Sequence, residues 1–314
     1  MLTLFAMPKP FRAHTAIIQR NAISSWTQLR PPCQILLFGN EHGTADVAKE
    51  SGICHVPEVA RNEYGTPLVN DLFDRAQRLA GNDLLCYVNS DIILLSDFVR
   101  AIRRIPFRRF LMVGQRWDVD FDRPWDFGQA DWEGRLREYV RNHGTLQRRD
   151  AIDYFVFRSG VYGEIPPFAV GRIAWDNWMI YHARASGAAV IDATHAVMAV
   201  HQNHDYAHLQ GGKTEAWEGT EAQRNLGLAG GYSHVFTLDD ALWVLPASGI
   251  IKPQLSGERL KQQWSRLRVL PLSAWRLYLM RGLLAVVLAY QEKRLVRSIV
   301  RGARRMMTSW RTEN

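Results

Sequence analysis

Three short stretches of the chain carry side chains able to hold a cation or move a proton. Asn89-Ser90-Asp91 directly follows the apolar run 84–88 and precedes a second apolar run, 92–95. Two oxygen-bearing side chains at i and i+2 off a strand end suit Mg2+ or Mn2+. These cations take oxygen ligands and keep positions open for water and phosphate. The same residue types are common turn formers. Ala174-Trp175-Asp176-Asn177-Trp178 sets a carboxylate between two indoles. Partial desolvation there raises its pKa and suits it to act as a general base; Asp176 equally suits the N-cap of a helix over 177–185. His201-Gln202-Asn203-His204-Asp205-Tyr206 follows the apolar run 196–200. A neutral imidazole at a strand end suits a third metal ligand, or simply satisfies a hydrogen bond of the fold; His201 is favoured over His204 as the nearer to the strand.

These groups need a scaffold that brings them together. Residues 2–7 read as a strand ended by Pro8 and Pro10, which cannot continue a ladder. Residues 12–28 follow helical spacing, with Ile17, Ile18, Asn21, Ala22, Ser25 and Trp26 on one face. A strand is predicted at 34–38, closed by Gly39. A helix is predicted over 67–80, with Thr66 as N-cap and Pro67 in its first position. The run 84–88 has the character of a strand buried on both faces. The β-α-β-α-β order implies a mostly parallel sheet with helices on both sides, and ligands of such sheets bind beyond the carboxyl ends of the strands. Pro8-Lys9-Pro10, Asn40-Glu41 and Asn89-Ser90-Asp91 therefore fall on one rim. Later strands are expected at 110–114, 152–157, 190–192 and 196–200. Residues 117–150 read as an inserted, partly helical segment, and the glycine-rich stretch 205–234 as mobile.

Arg116-Trp117-Asp118 follows one of these strands. An indole that stacks on a pyranose beside a carboxylate that accepts its hydroxyls suits a sugar, and a core-packing Trp117 is the alternative. The same two readings apply to Trp125-Asp126 and Trp132-Glu133.

Composition narrows the class. The 314 residues are 47% hydrophobic, enough for one large core or two modest ones. Cys33, Cys54 and Cys86 show no CxxC spacing, which argues against a disulfide framework or structural zinc and for a reducing compartment. Residues 1–7 lack the basic and apolar regions of a signal peptide. The formal charge of +8 is uneven: residues 255–314 hold 13 Lys or Arg against 3 acidic residues. Within that tail the apolar run 277–290 is too short to span a bilayer and is interrupted by Arg281. Leu295, Ile299, Ala303, Met306 and Trp310 then line one helical face, with Lys293, Arg297, Arg301, Arg304 and Arg305 largely away from it. Such a helix suits an anionic membrane surface, or packs on the main domain with its basic face solvated. The aromatics are not interleaved with the basic residues, which argues against nucleic acid.

In order, the strand, Asn89-x-Asp91, Trp175-Asp176-Asn177-Trp178 and His201 resemble the GT-A-fold glycosyltransferases, in the broad family 2 manner. The resemblance covers residues 1–250. It implies an α/β fold, a GT-A-like mostly parallel twisted sheet flanked by helices, with the basic helical extension 255–314 after it. It implies that Asp91 and His201 bind a divalent cation, Mn2+ or Mg2+, and that Asp176 deprotonates an acceptor hydroxyl, with inversion. Asn89 stands where the first Asp of a DxD motif lies and takes one carboxylate from the site. The nucleotide-sugar pocket would draw on Pro8, Asn40, Glu41, Arg61, Asn62, Asn89 and Ser90, with Arg61 on a phosphate, and on Trp117 and Asp118. The expected partners are a nucleotide sugar donor and a glycan or lipid-linked acceptor at the cytoplasmic membrane face. Two other classes compete. A sugar-phosphate nucleotidyltransferase needs a Gly-rich, Arg-containing loop after the first strand, where Met7-Pro8-Lys9-Pro10 stands. A non-catalytic carbohydrate-binding protein needs no base.

Overall fold

A computed structural model describes residues 1–204, 212–253, 262, 263 and 265–271. The first half alternates strands and helices: β1 (Leu2–Ala6), α1 (Ala13–Thr27), β2 (Gln34–Phe38), α2 (Thr44–Ser51), β3 (Cys54–Val56), α3 (Val69–Leu79), β4 (Leu84–Val88), β5 (Ile92–Ile93), α4 (Ser96–Arg103), β6 (Phe110–Val113) and β7 (Arg116–Val119). Then come α5 (Trp132–His143), β8 (Thr145–Leu146), β9 (Tyr154–Arg158), α6 (Trp175–Ala185), β10 (Ala189–Asp192), β11 (Ala199–Gln202), α7 (Gly212–Glu218), α8 (Thr220–Ala229) and β12 (Trp243–Val244). The runs at 34–38 and 84–88 form strands with the expected bounds.

Among the described residues the main sheet has the order β12-β10-β6-β9-β4-β1-β2-β3. All its pairings are parallel except those of β9, which runs antiparallel between β4 and β6. This is a mostly parallel, helix-flanked sheet, as expected. A small second sheet, β5-β11-β7-β8, sits beside it.

Strand alternation divides the core. Leu4, Ala6, Cys86, Val88 and Val156 face one side, where Ala22, Ile23 and Trp26 of α1 cover them. Phe5, Tyr87 and Phe157 face the other and meet Phe73 of α3, and Tyr87 also Trp175 of α6, in edge and stacked contacts 5.0–5.7 Å apart. Both faces of β4 are thus covered, which its unbroken apolar sequence requires.

Several local expectations are corrected. The helix predicted from Pro67 starts at Val69, and Thr66 does not cap it. Pro67 pairs with Arg61 and Leu68 with Ala169 in isolated bridges, so this segment is drawn into extended backbone instead. The strand predicted at 196–200 forms at Ala199–Gln202, because the chain turns at Ala193, whose carbonyl accepts from Ala196 and Val197 N–H. His201 therefore lies within a strand rather than beyond it. Asp176 does not cap α6; it sits in the first turn, and Ala174 holds the cap position at φ +80°. The stretch expected to be mobile contains α7 and α8, and Gly230 at φ +84° ends the latter.

By its contacts the chain divides into residues 1–269 and 270–314. The apolar run 277–290 and the amphipathic helix expected at 295–310 lie outside the described residues. No helix among the described residues is long and apolar enough to cross a membrane.

Candidate active site

The turn after β4 is held from below by buried amides of α1 and β11. Gln19 Oε1 accepts from Lys9 N and from Ser90 Oγ, both at 2.7 Å, while its Nε2 donates to Lys9 O at 2.8 Å. Gln202 Nε2 donates to Ile18 O and Asp91 O, and its Oε1 accepts from Asn21 Nδ2. Buried polar groups persist where they are paired, and here each pairing ties a part of the turn to a rigid element. Ser90 spends its hydroxyl on this scaffold. Gln19 and Gln202 carried no sequence signal, since their partners lie 10 to 184 residues away.

Above the scaffold, Asp91, His201 and His204 present one ligand atom each, all within 4.8 Å of one another. Asp91 Oδ2 lies 3.1 Å from His204 Nε2 and 4.0 Å from both His201 Nε2 and Lys9 Nζ. Lys9 Nζ is 3.0 Å from His204 Nε2. Burial pushes the Asp91 pKa up, but the His204 contact and the charges of His201 and Lys9 win and hold it well below the usual carboxylate range. The other oxygen, Asp91 Oδ1, is buried without a hydrogen-bond partner among the described residues. An orphaned anionic oxygen beside two imidazoles fits a divalent cation, and the mixed oxygen and nitrogen set suits Mn2+. His204 belongs to this group alongside His201: it follows directly on the β7–β11 pairing, whose last ladder bond runs from Asn203 N to Val119 O, and its Nε2 reaches Asp91 Oδ2 at 3.1 Å. Asp205 lies outside the described residues.

Asn89 is not part of this cluster. Its amide donates to Asp153 Oδ1 at 2.6 Å, and Asp153 Oδ2 accepts from Arg116 at 2.8 Å. Trp117 and Asp118, expected to act together, do not share a face. Neighbours on a strand point to opposite faces. Trp117 packs against the cluster containing Ile93, Leu95 and Val200, while Asp118 turns the other way to Arg116 and His201. Trp132 is buried in the same cluster, and Glu133 accepts from Ser96.

Asp176 is held differently. It is half-buried and accepts from Asn177 N at 2.9 Å. It forms no ion pair with a described residue. Burial, reinforced by the negative charges of Asp153 and Asp150 against the Asn177 N–H, pushes its pKa up to about 7. Tyr87 feels the charges of Asp91, Asp153 and Asp176 together.

On the nucleotide side the expected residues separate. Arg61 forms an ion pair with Glu41 at 2.7 Å and donates to Gly65 O, so its charge is matched within the fold. Asn62 accepts from Tyr64 N and Thr66 N and donates to Glu221, which braces the loop. Pro8 is buried and Asn40 exposed at their strand ends. Two surface cavities lie elsewhere: about 600 Å³ beside Phe11, Arg20 and His42, and about 330 Å³ beside Phe121, Trp125 and Tyr139.

No known protein family and no curated protein matches the chain. Solved structures resemble it in part. The mannosyltransferase PcManGT from Pyrobaculum calidifontis, in complex with GDP-Man and Mn2+, aligns at 12% identity and a TM-score of 0.39, over 63% of this chain and 56% of its own. This chain thus spans little more than half the length of that protein. Glucosyl-3-phosphoglycerate synthase from Mycobacterium tuberculosis, with Mn2+, UDP and phosphoglyceric acid, aligns at 15% identity and 0.44, over 74% and 79%. A nucleotide-diphospho-sugar transferase from Desulfovibrio desulfuricans aligns at 11% and 0.40, over 73% and 96%.

Proposed function

We propose that the chain is a glycosyltransferase that moves a sugar from a nucleotide-diphosphate donor to a hydroxyl of a glycan or lipid-linked acceptor, with inversion. The observation that carries the reading is the contrast between Asp91, kept ionised beside two imidazoles and a lysine, and Asp176, kept near neutral pKa by burial. Two titratable groups pushed apart by their environments mark separate acid-base roles.

In this reading Asp176 takes the proton of the acceptor hydroxyl as that oxygen attacks the anomeric carbon. The bond to the leaving diphosphate breaks on the opposite face, which inverts the centre. Asp91 Oδ2 and Nε2 of His201 and His204 would hold Mn2+ or Mg2+, which neutralises charge on the leaving group when bound. Lys9 adds a fixed positive charge at the same place. The rim formed by Pro8, Asn40 and Glu41 would meet the nucleoside. The 13 basic residues of 255–314 support an anionic membrane surface as a further partner. The enzyme would then extend a lipid-linked glycan or surface polysaccharide on the inner face of the cytoplasmic membrane.

The test is a panel of UDP-, GDP- and dTDP-sugars offered to the full chain with Mn2+ or with chelator. Metal-dependent release of nucleoside diphosphate from one donor is expected. Neither hydrolysis nor transfer from any donor sinks the reading, and glycan affinity without turnover would leave a carbohydrate-binding protein.

A further inference from the structure

The pairing of β7 with β11 sets an arrangement that the cation cluster alone does not explain. The two strands run parallel with Asp118 opposite His201. Paired residues project from the same face, and so does Arg116, two residues before Asp118. His201 Nδ1 lies 3.0 Å from Asp118 Oδ1, a close polar contact whose geometry falls short of a hydrogen bond. Its other nitrogen, Nε2, faces Asp91 Oδ2 at 4.0 Å. Arg116 Nε donates to Asp118 Oδ1 and its terminal nitrogen to Asp153 Oδ2, each at 2.8 Å.

We infer that Asp118, clamped by Arg116, is the group that turns His201 toward a cation shared with Asp91. Both are positioning residues. The inference rests on reading Asp91, His201 and His204 as the cation site. A carboxylate at Nδ1 keeps the ring proton on that nitrogen and directs the Nε2 lone pair at Asp91. Two electron-rich atoms then face each other across 4.0 Å. That is too far for a hydrogen bond, but within the reach of two bonds of about 2.1 Å to one ion. The guanidinium anchors Asp118 Oδ1, since it is itself held by a second carboxylate, Asp153. Outer-shell carboxylates of this kind orient a metal-binding imidazole and raise its basicity.

The test uses the full chain, with Mn2+ as probe. Free Mn2+ is followed by electron paramagnetic resonance, and the His201 tautomer by nitrogen-15 NMR without metal. Asp118→Ala is expected to weaken Mn2+ binding by roughly 10–100-fold and to move the His201 proton from Nδ1 to Nε2. Asp118→Asn, whose amide oxygen can still accept, is expected to lose less and to keep the proton on Nδ1. Should the alanine variant fail to fold, the asparagine variant decides: Mn2+ affinity equal to that of the parent chain overturns the inference. The inference is also overturned if Asp118→Ala binds Mn2+ normally with the proton unmoved while His201→Ala loses the ion. If the parent chain binds no Mn2+, or His201→Ala binds it unchanged, the cation site itself is wrong and the inference falls with it.

Discussion

Asp91 and Asp176 follow secondary-structure boundaries of opposite kinds. Asp91 leaves the end of a strand and is surrounded by His201, His204 and Lys9, with Gln202 gripping its carbonyl. Asp176 enters a helix, and among the described residues its carboxylate meets backbone N–H groups rather than a cation, with Asp153 and Asp150 as the charges that act on it. The same side chain is thus driven down in one place and up in the other. Burial alone raises both, so the difference comes from the partners. One region can hold positive charge permanently, and the other can exchange a proton near neutrality.

The sharpest way to break this contrast is Asp176→Asn. Turnover is expected to fall by roughly 10²–10⁴-fold, while nucleoside diphosphate affinity measured by calorimetry stays at the parent value. Loss of both would mean that Asp176 holds the fold or the donor instead. Asp91→Ala acts on the other side. Mn2+ affinity is expected to fall beyond the roughly 10–100-fold that loss of an outer-shell partner costs, read by the same paramagnetic titration.

The pH dependence separates the two carboxylates further. A base whose folded pKa is about 7 makes turnover climb about tenfold per pH unit below that value and level off above it. Stability runs the other way. Between the unfolded carboxylate pKa of about 3.9 and about 7 the native state binds the extra proton, so stability falls as pH rises through that window. Thermal melts of Asp176→Asn at about pH 4 and about pH 8 should coincide with the parent at the acid end and exceed it at the other. The smallest effect is expected at Asn89. Asn89→Asp would face Asp153 with a like charge and an unmade hydrogen bond, at a cost of about 1–3 kcal/mol by denaturant melts. It should leave Mn2+ affinity unchanged, and a tightened affinity would show that position 89 reaches the cation.

What could be read in the sequence follows from what each element depends on. β2 and β4 were legible because strands covered on both faces must be continuously apolar, and Ile35 to Phe38 and Leu85 to Val88 are buried throughout. The segment 66–68 was not, because its extended form comes from pairing with Arg61 and Ala169, more than a hundred residues distant in the second case. Trp117 and Asp118 look like a sugar-binding pair only when read as adjacent letters; once they are recognised as strand neighbours, alternation sends them apart. His204 has no local signal that sets it above the nearer His201, because its place is fixed by a contact with Asp91, 113 residues away in the chain. Asp153 and Gln19, which organise the two poles, carry no local pattern.

Gln19 has a consequence for how the site meets its substrates. One side chain with three hydrogen bonds joins the exit of β1 to the turn after β4. The backbone of Lys9 and the Ser90 hydroxyl, next to Asp91, are therefore tied together before any ligand arrives. The entropy of ordering them was lost when the protein folded and is not lost again at each binding event. An arriving diphosphate would meet a preassembled receptor, and any adjustment of shape falls to segments without such a link.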